Sequence, residues 1–366
     1  MCNRKILVIG LGKEFGGVEV FIAKTCRELI KRGYCFDFLT YNDISNITKT
    51  RLECLGGRIY KVERYSANPL RFVKEITDFY QNHKEYSIIH CHASHASMIV
   101  YTFPIWFKKN IKIIFHSHNS SGNHKLFQRG MSILVNRIVD KRLACSSKAS
   151  KWMYGNNKSI IIYNGVEALR FAYNEVVRSN LFYKYQIDQK IVIGHIGRFE
   201  EQKNHKFIVE IFEEALKRNR HLVLLLIGDG KLKNKIVELI SEKKLQNNII
   251  ILPFQDNIQD YYSMMDIFLL PSLFEGFPIV GVEAQAAGVQ CYFSDNITKE
   301  IAITDLTHFV GAKKSAAEWA EYILQTFKTL SISERKSYAD TIRRSADIDN
   351  TVETIQQVYI EMEKLV

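Results

Sequence analysis

Two carboxylates eight positions apart, Glu275 and Glu283, stand in the largely apolar stretch PSLFEGFPIVGVEAQAAGVQ, residues 271–290. Charge in such surroundings is expensive unless it is partnered or solvated. Two carboxylates facing one pocket could divide acid and base work. The spacing does not place them on one face of a continuous helix, so loop geometry must bring them together. The plainer alternative is a helix-start acid favoured by the helix dipole beside a loop acid in water.

Cations and histidines form the second set of candidates. In GRFEEQKN, residues 197–204, Arg198 and Lys203 follow an apolar run. A guanidinium fork and an ammonium point charge at that place suit a diphosphate, and a solvated charge pair is the competing reading. His90, His92 and His95 follow one apolar run, and His116, His118 and His124 with Asn119 follow another. Repeated HxH invites a metal, but no set of acids or cysteines at ligand spacing accompanies it, and the expectation is that no metal is bound. A hydrogen bond from a neutral imidazole to a substrate is the preferred use. Gly10, Gly12, Gly16 and Gly17 form a glycine loop that misses the spacing of a dinucleotide fingerprint, so anion binding and a tight packing turn both stay open. Gly228-Asp229-Gly230 closes another apolar run.

These residues call for strands that end in ligand-facing loops. Ile6 to Gly10 reads as a buried strand, followed by a glycine loop and a helix from about Glu19 to Arg32. Alternation continues through Phe36–Thr40, Arg58–Val62, a helix over Pro69–Asn82, Ser87–His92, Ile111–His116, the strand-like RLACSS and the strand IIIYNGV, residues 160–166. Residues 167–189 lack periodicity, and the pattern then restarts at IVIGHIGR. Further helices over Lys206–Arg218 and Lys231–Lys244 alternate with the strands LVLLLIG, NIIIL and IFLLPS. The expected fold class is α/β, with two doubly wound Rossmann-like domains whose ligands lie beyond the carboxyl ends of the strands. The expected boundaries are 1–165, 166–345, and a final helix 346–366 that could lie back across the first domain.

Composition sets outer limits. The chain has 366 residues, 46% hydrophobic and 24% charged, which is ordinary globular composition. Its seven cysteines are scattered singly, so reduced thiols and a reducing cytosol are expected. No signal-like or membrane-spanning run is apparent; the longest apolar stretch, Met98–Phe107, is too short to span. Residues 1–165 carry 26 Lys and Arg against 11 Asp and Glu, whereas residues 166–366 carry 24 against 28. The basic first half, beside Met98–Lys112, points to an anionic membrane surface, with a merely solubilising surface as the alternative. Nucleic acid is not expected as a partner, because no recognisable module accompanies the charge.

The EGFPIVGVE and GRFEEQKN motifs, with the FGGVE loop, HSHNS and YNGVE, resemble those of family-4 glycosyltransferases of bacterial capsule, exopolysaccharide or lipopolysaccharide assembly. The resemblance implies the GT-B architecture of two domains across a cleft, and retention at the anomeric carbon without a protein nucleophile. It implies that Arg198 and Lys203 bind the diphosphate of a nucleotide sugar, UDP before GDP, without metal or other cofactor. Glu283 would hold the ribose, and Glu275 the donor sugar. Gly276 and the amides of Phe277 and Ile279 would add to the phosphate site, Gly16 and Gly17 would approach the donor from the first domain, and Phe254 would flank the base. His118 matches the histidine near the reacting sugar, with His116 as its rival. The implied acceptor is a glycan or lipid-linked glycan, met by a cytoplasmic enzyme peripheral to the membrane. The runner-up is an inactive nucleotide-sugar-binding scaffold of a polysaccharide assembly complex.

Overall fold

The computed structural model describes residues 4–14, 16–122 and 124–366. Phe15 of the FGGVE loop lies outside them. The chain divides into two compact units: residues 1–164 with 348–366, and residues 165–347.

Unit 1 has seven strands: β1 (Lys5–Ile9), β2 (Cys35–Thr40), β3 (Ile59–Lys61), β4 (Ile88–Ala93), β5 (Lys112–Ser117), β6 (Lys141–Ala144) and β7 (Ile160–Ile161). They pair in parallel in the order β3-β2-β1-β4-β5-β6-β7. Runs such as ILVI and IIHC are buried along their length because helices cover both faces of a parallel sheet. The order reverses between β1 and β4, the switch point where loops diverge and leave a crevice. Gly10 makes the first of these turns: its φ is +114°, and a Cβ there would lie 1.8 Å from the carbonyl oxygen of His92. Only glycine fits. The helix Ile348–Glu363 belongs to this unit, where it packs on the helix Gly17–Lys31 and on β4.

Unit 2 repeats the plan with six parallel strands: β8 (Ile191–Ile196), β9 (Leu222–Ile227), β10 (Ile249–Leu252), β11 (Ile267–Leu270), β12 (Gln290–Ser294) and β13 (Thr307–Val310). Their order is β10-β9-β8-β11-β12-β13, with the switch point between β8 and β11. Ile193, Leu224, Leu226, Ile267 and Leu269 meet Phe212 and Trp319 in one buried core.

The structure adds elements that the sequence reading did not list, among them the helices Asn46–Glu53 and Lys125–Ile138, and departs from it at three further points. The segment without periodicity contains a helix, Glu175–Tyr185. Asn174 caps it by accepting from the Val177 amide, and Leu181 is its only fully buried residue, so there was little apolar stripe to read. Cys35 is disulfide-bonded rather than free, whereas Cys26, Cys54, Cys91, Cys145 and Cys291 are free thiols as expected. Met98, Ile99, Tyr101 and Ile105 are buried in a 3-10 segment, Ala96–Ile105, and this apolar run is core. No helix among the described residues is long and apolar enough to cross a membrane.

Candidate functional site

The carboxyl ends of β10, β9, β8 and β11 are neighbours in the unit 2 sheet, and their loops carry Phe254, Gly228–Gly230, Gly197–Asn204 and Pro271–Gly276 respectively. The β8 and β9 loops are joined by a hydrogen bond from the Phe199 amide to the Asp229 carbonyl, 2.9 Å. Their approach is so close that a Cβ on Gly228, whose φ is +148°, would lie 2.1 Å from the Gly197 carbonyl oxygen. Beneath them His195 is fully buried and bonded through Nδ1 to the Leu269 carbonyl at 2.8 Å. His205 stacks on Phe199 with ring centroids 4.0 Å apart. Burial, and then neighbouring charge, holds both imidazoles neutral, with His205 pushed down to about 3.

Lys203 ends the short 3-10 turn Glu201–Lys203, and Asn204 then adopts a left-handed conformation before the helix His205–Arg218. The Leu273 amide donates to the Gln202 carbonyl at 2.9 Å, tying the β11 loop to this turn. Across that tie Lys203 Nζ donates to Glu275 Oε1 at 2.7 Å. Gln202 Nε2 donates to Glu275 Oε2 at 3.3 Å and to the Phe274 carbonyl at 3.0 Å. Glu275 is 7% exposed, so its charge depends on these donors. The two residues expected to contact different parts of a ligand are thus ion-paired with each other. An ammonium has three protons, and one bond to Glu275 leaves Lys203 able to donate to a second anion.

Glu283 lies in the helix Ile279–Ala286, 6% exposed, and has another partner. Tyr262 donates its hydroxyl to Glu283 Oε2 at 2.9 Å and to the Val280 carbonyl at 3.2 Å. Burial, reinforced by Glu283, raises the Tyr262 phenol well above its ordinary range and keeps it a donor. Sequence reasoning missed Tyr262; its place in the short helix Ile258–Met264, one strand before EGFPIVGVE, was the available signal. Phe277 and Ile279 are buried at the start of the Glu283 helix, where the Gly281 amide donates to the Pro278 carbonyl at 3.0 Å. Arg198 is half-exposed, with Glu200 3.6 Å away, and Phe254 is also exposed.

In unit 1 the first loop is closed on itself. Glu19 accepts from the Gly12 amide at 2.7 Å and from the Gly16 amide at 3.0 Å, so these two amides already have an anion. Gly17 faces open space, with nothing within 4 Å of where a Cβ would stand. The parallel register pairs His92 with His116, which puts His90, His92, His116 and His118 on one face of the sheet. His90 stacks on His92 at 4.1 Å, His92 Nδ1 bonds to His118 Nε2 at 2.8 Å, and His90 Nδ1 bonds to the Tyr359 hydroxyl at 2.7 Å. Burial pushes His90 and His118 down to about 3 and also holds His92 and His116 well below the ordinary imidazole value. His116 has no exposed surface, while His118 at the end of β5 retains a little.

Comparison with known proteins matches residues 177–344 to the family model "Glycosyl transferases group 1" and residues 15–170 to "Glycosyltransferase Family 4". The glycosyltransferase homologue EpsF of Bacillus subtilis is 27% identical over 335 residues, covering 88% of this chain and 87% of that protein. An Escherichia coli UDP-Gal:alpha-D-GlcNAc-diphosphoundecaprenol alpha-1,3-galactosyltransferase is 26% identical over 228 residues, covering 56% of this chain and 54% of its own. The crystal structure of Anabaena Alr3699/HepE in complex with UDP superposes with a TM-score of 0.80 at 18% identity, over 98% of this chain and 100% of that one.

Proposed function

The chain belongs to the family-4-like glycosyltransferases of GT-B fold and acts as a hexosyltransferase in polysaccharide biosynthesis, and on that premise we propose that it transfers a hexose or N-acetylhexosamine from a UDP-sugar, with retention, to a glycan or lipid-linked acceptor. The observation that carries the donor reading is the Lys203–Glu275 pair on adjoining loops at the β8/β11 switch point. Lys203 and Arg198 take the diphosphate, and Glu275 both aims Lys203 and accepts hydroxyls of the donor sugar. Glu283, held by Tyr262, takes the ribose hydroxyls, Phe254 flanks the base, and Gly276 with the amides of Phe277 and Ile279 completes the phosphate cradle.

In the reaction the bond from the anomeric carbon to the diphosphate oxygen breaks and a bond to the acceptor oxygen forms on the same face. The acceptor's proton passes to the departing diphosphate. The leaving group gains negative charge as it departs, and Arg198 with Lys203 meets that charge without a metal ion or other cofactor. Glu283, committed to ribose, is not available as the acid or base of a hydrolase. His118 is the unit 1 residue whose replacement by Asn is expected to lower kcat. The E. coli relative, whose name specifies a diphosphoundecaprenol acceptor, supports a lipid-linked glycan as the acceptor.

A thermal-shift panel of UDP, GDP, NAD and their sugar conjugates tests the donor, followed by determination of the product's anomeric configuration. UDP is expected to stabilise the chain most. Preferential stabilisation by NAD, or unchanged turnover in K203A and E275Q, overturns the assignment.

A further inference from the structure

The apolar stretch that suggested a membrane neighbour, Met98–Phe107, is buried or partly buried up to Trp106, and only Phe107, 90% exposed and followed by Lys108 and Lys109, stands in solvent. The exposed apolar surface lies instead on the next helix, Lys125–Ile138. Leu126 is 87% exposed, and Phe127 and Ile133 are more than half exposed, while Gln128, Ser132 and Val135 face inward. Three large apolar side chains turned to solvent on one helix are unusual for a surface with nothing to cover it.

Charge identifies the cover. Between Glu85 and Glu167 the only acidic residue is Asp140, against eleven Lys and Arg. Lys125, Arg129 and Arg137 lie on this helix and enter no ion pair among the described residues; Lys112 lies 3.7 Å from Asp140, and Lys141 is paired with Glu361. The helix packs beside the Ala96–Ile105 segment that leads to Phe107, Lys108 and Lys109, and that segment packs beside the helix Pro69–Asn82. On this second helix Leu70 and Val73 are also exposed, but its Arg71 is paired with Glu75 at 2.6 Å. On the Lys125–Ile138 helix, apolar side chains rimmed by Lys125, Arg129 and Arg137, with no acid on the helix, match an interfacial helix whose apolar face enters the headgroup boundary while its cations meet anionic lipid.

We propose that the Lys125–Ile138 helix, with Phe107 beside it, is the docking face of this protein for an anionic bilayer. The proposal deepens the reading of a lipid-linked acceptor, since a surface-bound enzyme meets such an acceptor in two dimensions. Leu126 and Phe127 insert, and Lys125 and Arg129 engage headgroups. Because the helix begins a few residues after β5, docking leaves the carboxyl edge of the unit 1 sheet beside the membrane surface.

The test is flotation of the full chain with vesicles of phosphatidylcholine alone, or with about a third phosphatidylglycerol, at low and high salt. Binding is expected only to the anionic vesicles and is expected to weaken with salt. L126S/F127S is expected to lower that binding at least tenfold. K125E/R129E is expected to lower it more steeply, at about fivefold for each cation lost and again for each acid gained. UDP-induced thermal stabilisation, measured on the same preparations, reports the donor site separately: vesicle binding can fail with it intact, or persist without it. Absence of binding to anionic vesicles, equal binding to neutral ones, or retention of binding in both variants overturns the proposal. So does sedimentation showing that wild type self-associates through this face and that L126S/F127S dissociates it, since the cover is then a second copy of the chain.

Discussion

Removing the Lys203 ammonium should cost stability as well as activity. Lys203 and Glu275 lie 2.7 Å apart with side chains 17% and 9% exposed, so neither charge is well screened by solvent. At an effective dielectric constant near 20 their gross attraction is about 6 kcal/mol. Most of it offsets the loss of hydration of both groups, but Lys203→Ala removes the attraction and leaves the buried carboxylate with its desolvation penalty. Gln202 partly compensates by donating to Glu275 Oε2 at 3.3 Å, which places the loss near the lower end of the usual range, at about 3 kcal/mol. For a unit of this size that corresponds to a fall of about 6–12 °C in the Tm of unit 2. Glu275→Gln removes the carboxylate charge, so K203A/E275Q should recover at least 1 kcal/mol relative to the sum of the single variants. Calorimetry of the four proteins closes the cycle, and a UDP titration of each asks whether donor affinity falls with Lys203 even where stability is regained. A coupling energy below about 0.5 kcal/mol would refute the claim that these residues sustain one another.

The histidine array predicts acid sensitivity. His90 and His118 titrate near 3 when folded, against an ordinary 6.5, so the unfolded chain binds more protons and stability rises with pH. Stability is complete above about 6.5 and falls as the pH drops toward 3, by about 2 kcal/mol for each such histidine at pH 5; a Tm unchanged between pH 7.5 and 5 would contradict this. Gln285, fully buried, donates to the Gly281 and Ile301 carbonyls and accepts from the Ile303 and Thr304 amides and the Thr304 and Thr307 hydroxyls. Gln285→Leu should therefore cost about 3 kcal/mol or more by stranding these groups, measurable by calorimetric unfolding of unit 2. Gly228→Ala meets both a left-handed φ and the Gly197 carbonyl, so the β8 and β9 loops must separate. A loss of UDP affinity exceeding the loss of Tm is expected from paired titration and thermal scans.

The alternation of apolar runs with helical segments made two α/β units legible, since buried parallel strands leave continuous Val, Ile and Leu runs such as LVLLLI. The residues after those runs were legible as well, because a doubly wound sheet sends its loops to one edge. Contacts across the sheet were not. Lys203 and Glu275 are 72 positions apart, and the sequence does not give the side-chain directions that make them partners rather than two separate ligands. The paired HxH segments were visible, but the four-imidazole stack required the register of β4 against β5. The Glu19 bonds turned two amides of the glycine loop inward, where its spacing had left an anion site open. The Lys125–Ile138 helix was not read from the sequence, and the exposure of its Leu126, Phe127 and Ile133 is visible only in the structure.

The return of the helix Ile348–Glu363 to unit 1 sets an order of assembly during synthesis. Residues 165–347 leave the ribosome as a continuous stretch and can complete their unit while the chain is still being made. Unit 1, begun first, waits with one flank of its sheet uncovered until residues 348–366 emerge, when the hydroxyl of Tyr359 reaches His90 across 269 positions. Until then the nascent protein presents an apolar face, so a premature stop before residue 348 would leave a permanent client for chaperones and proteases.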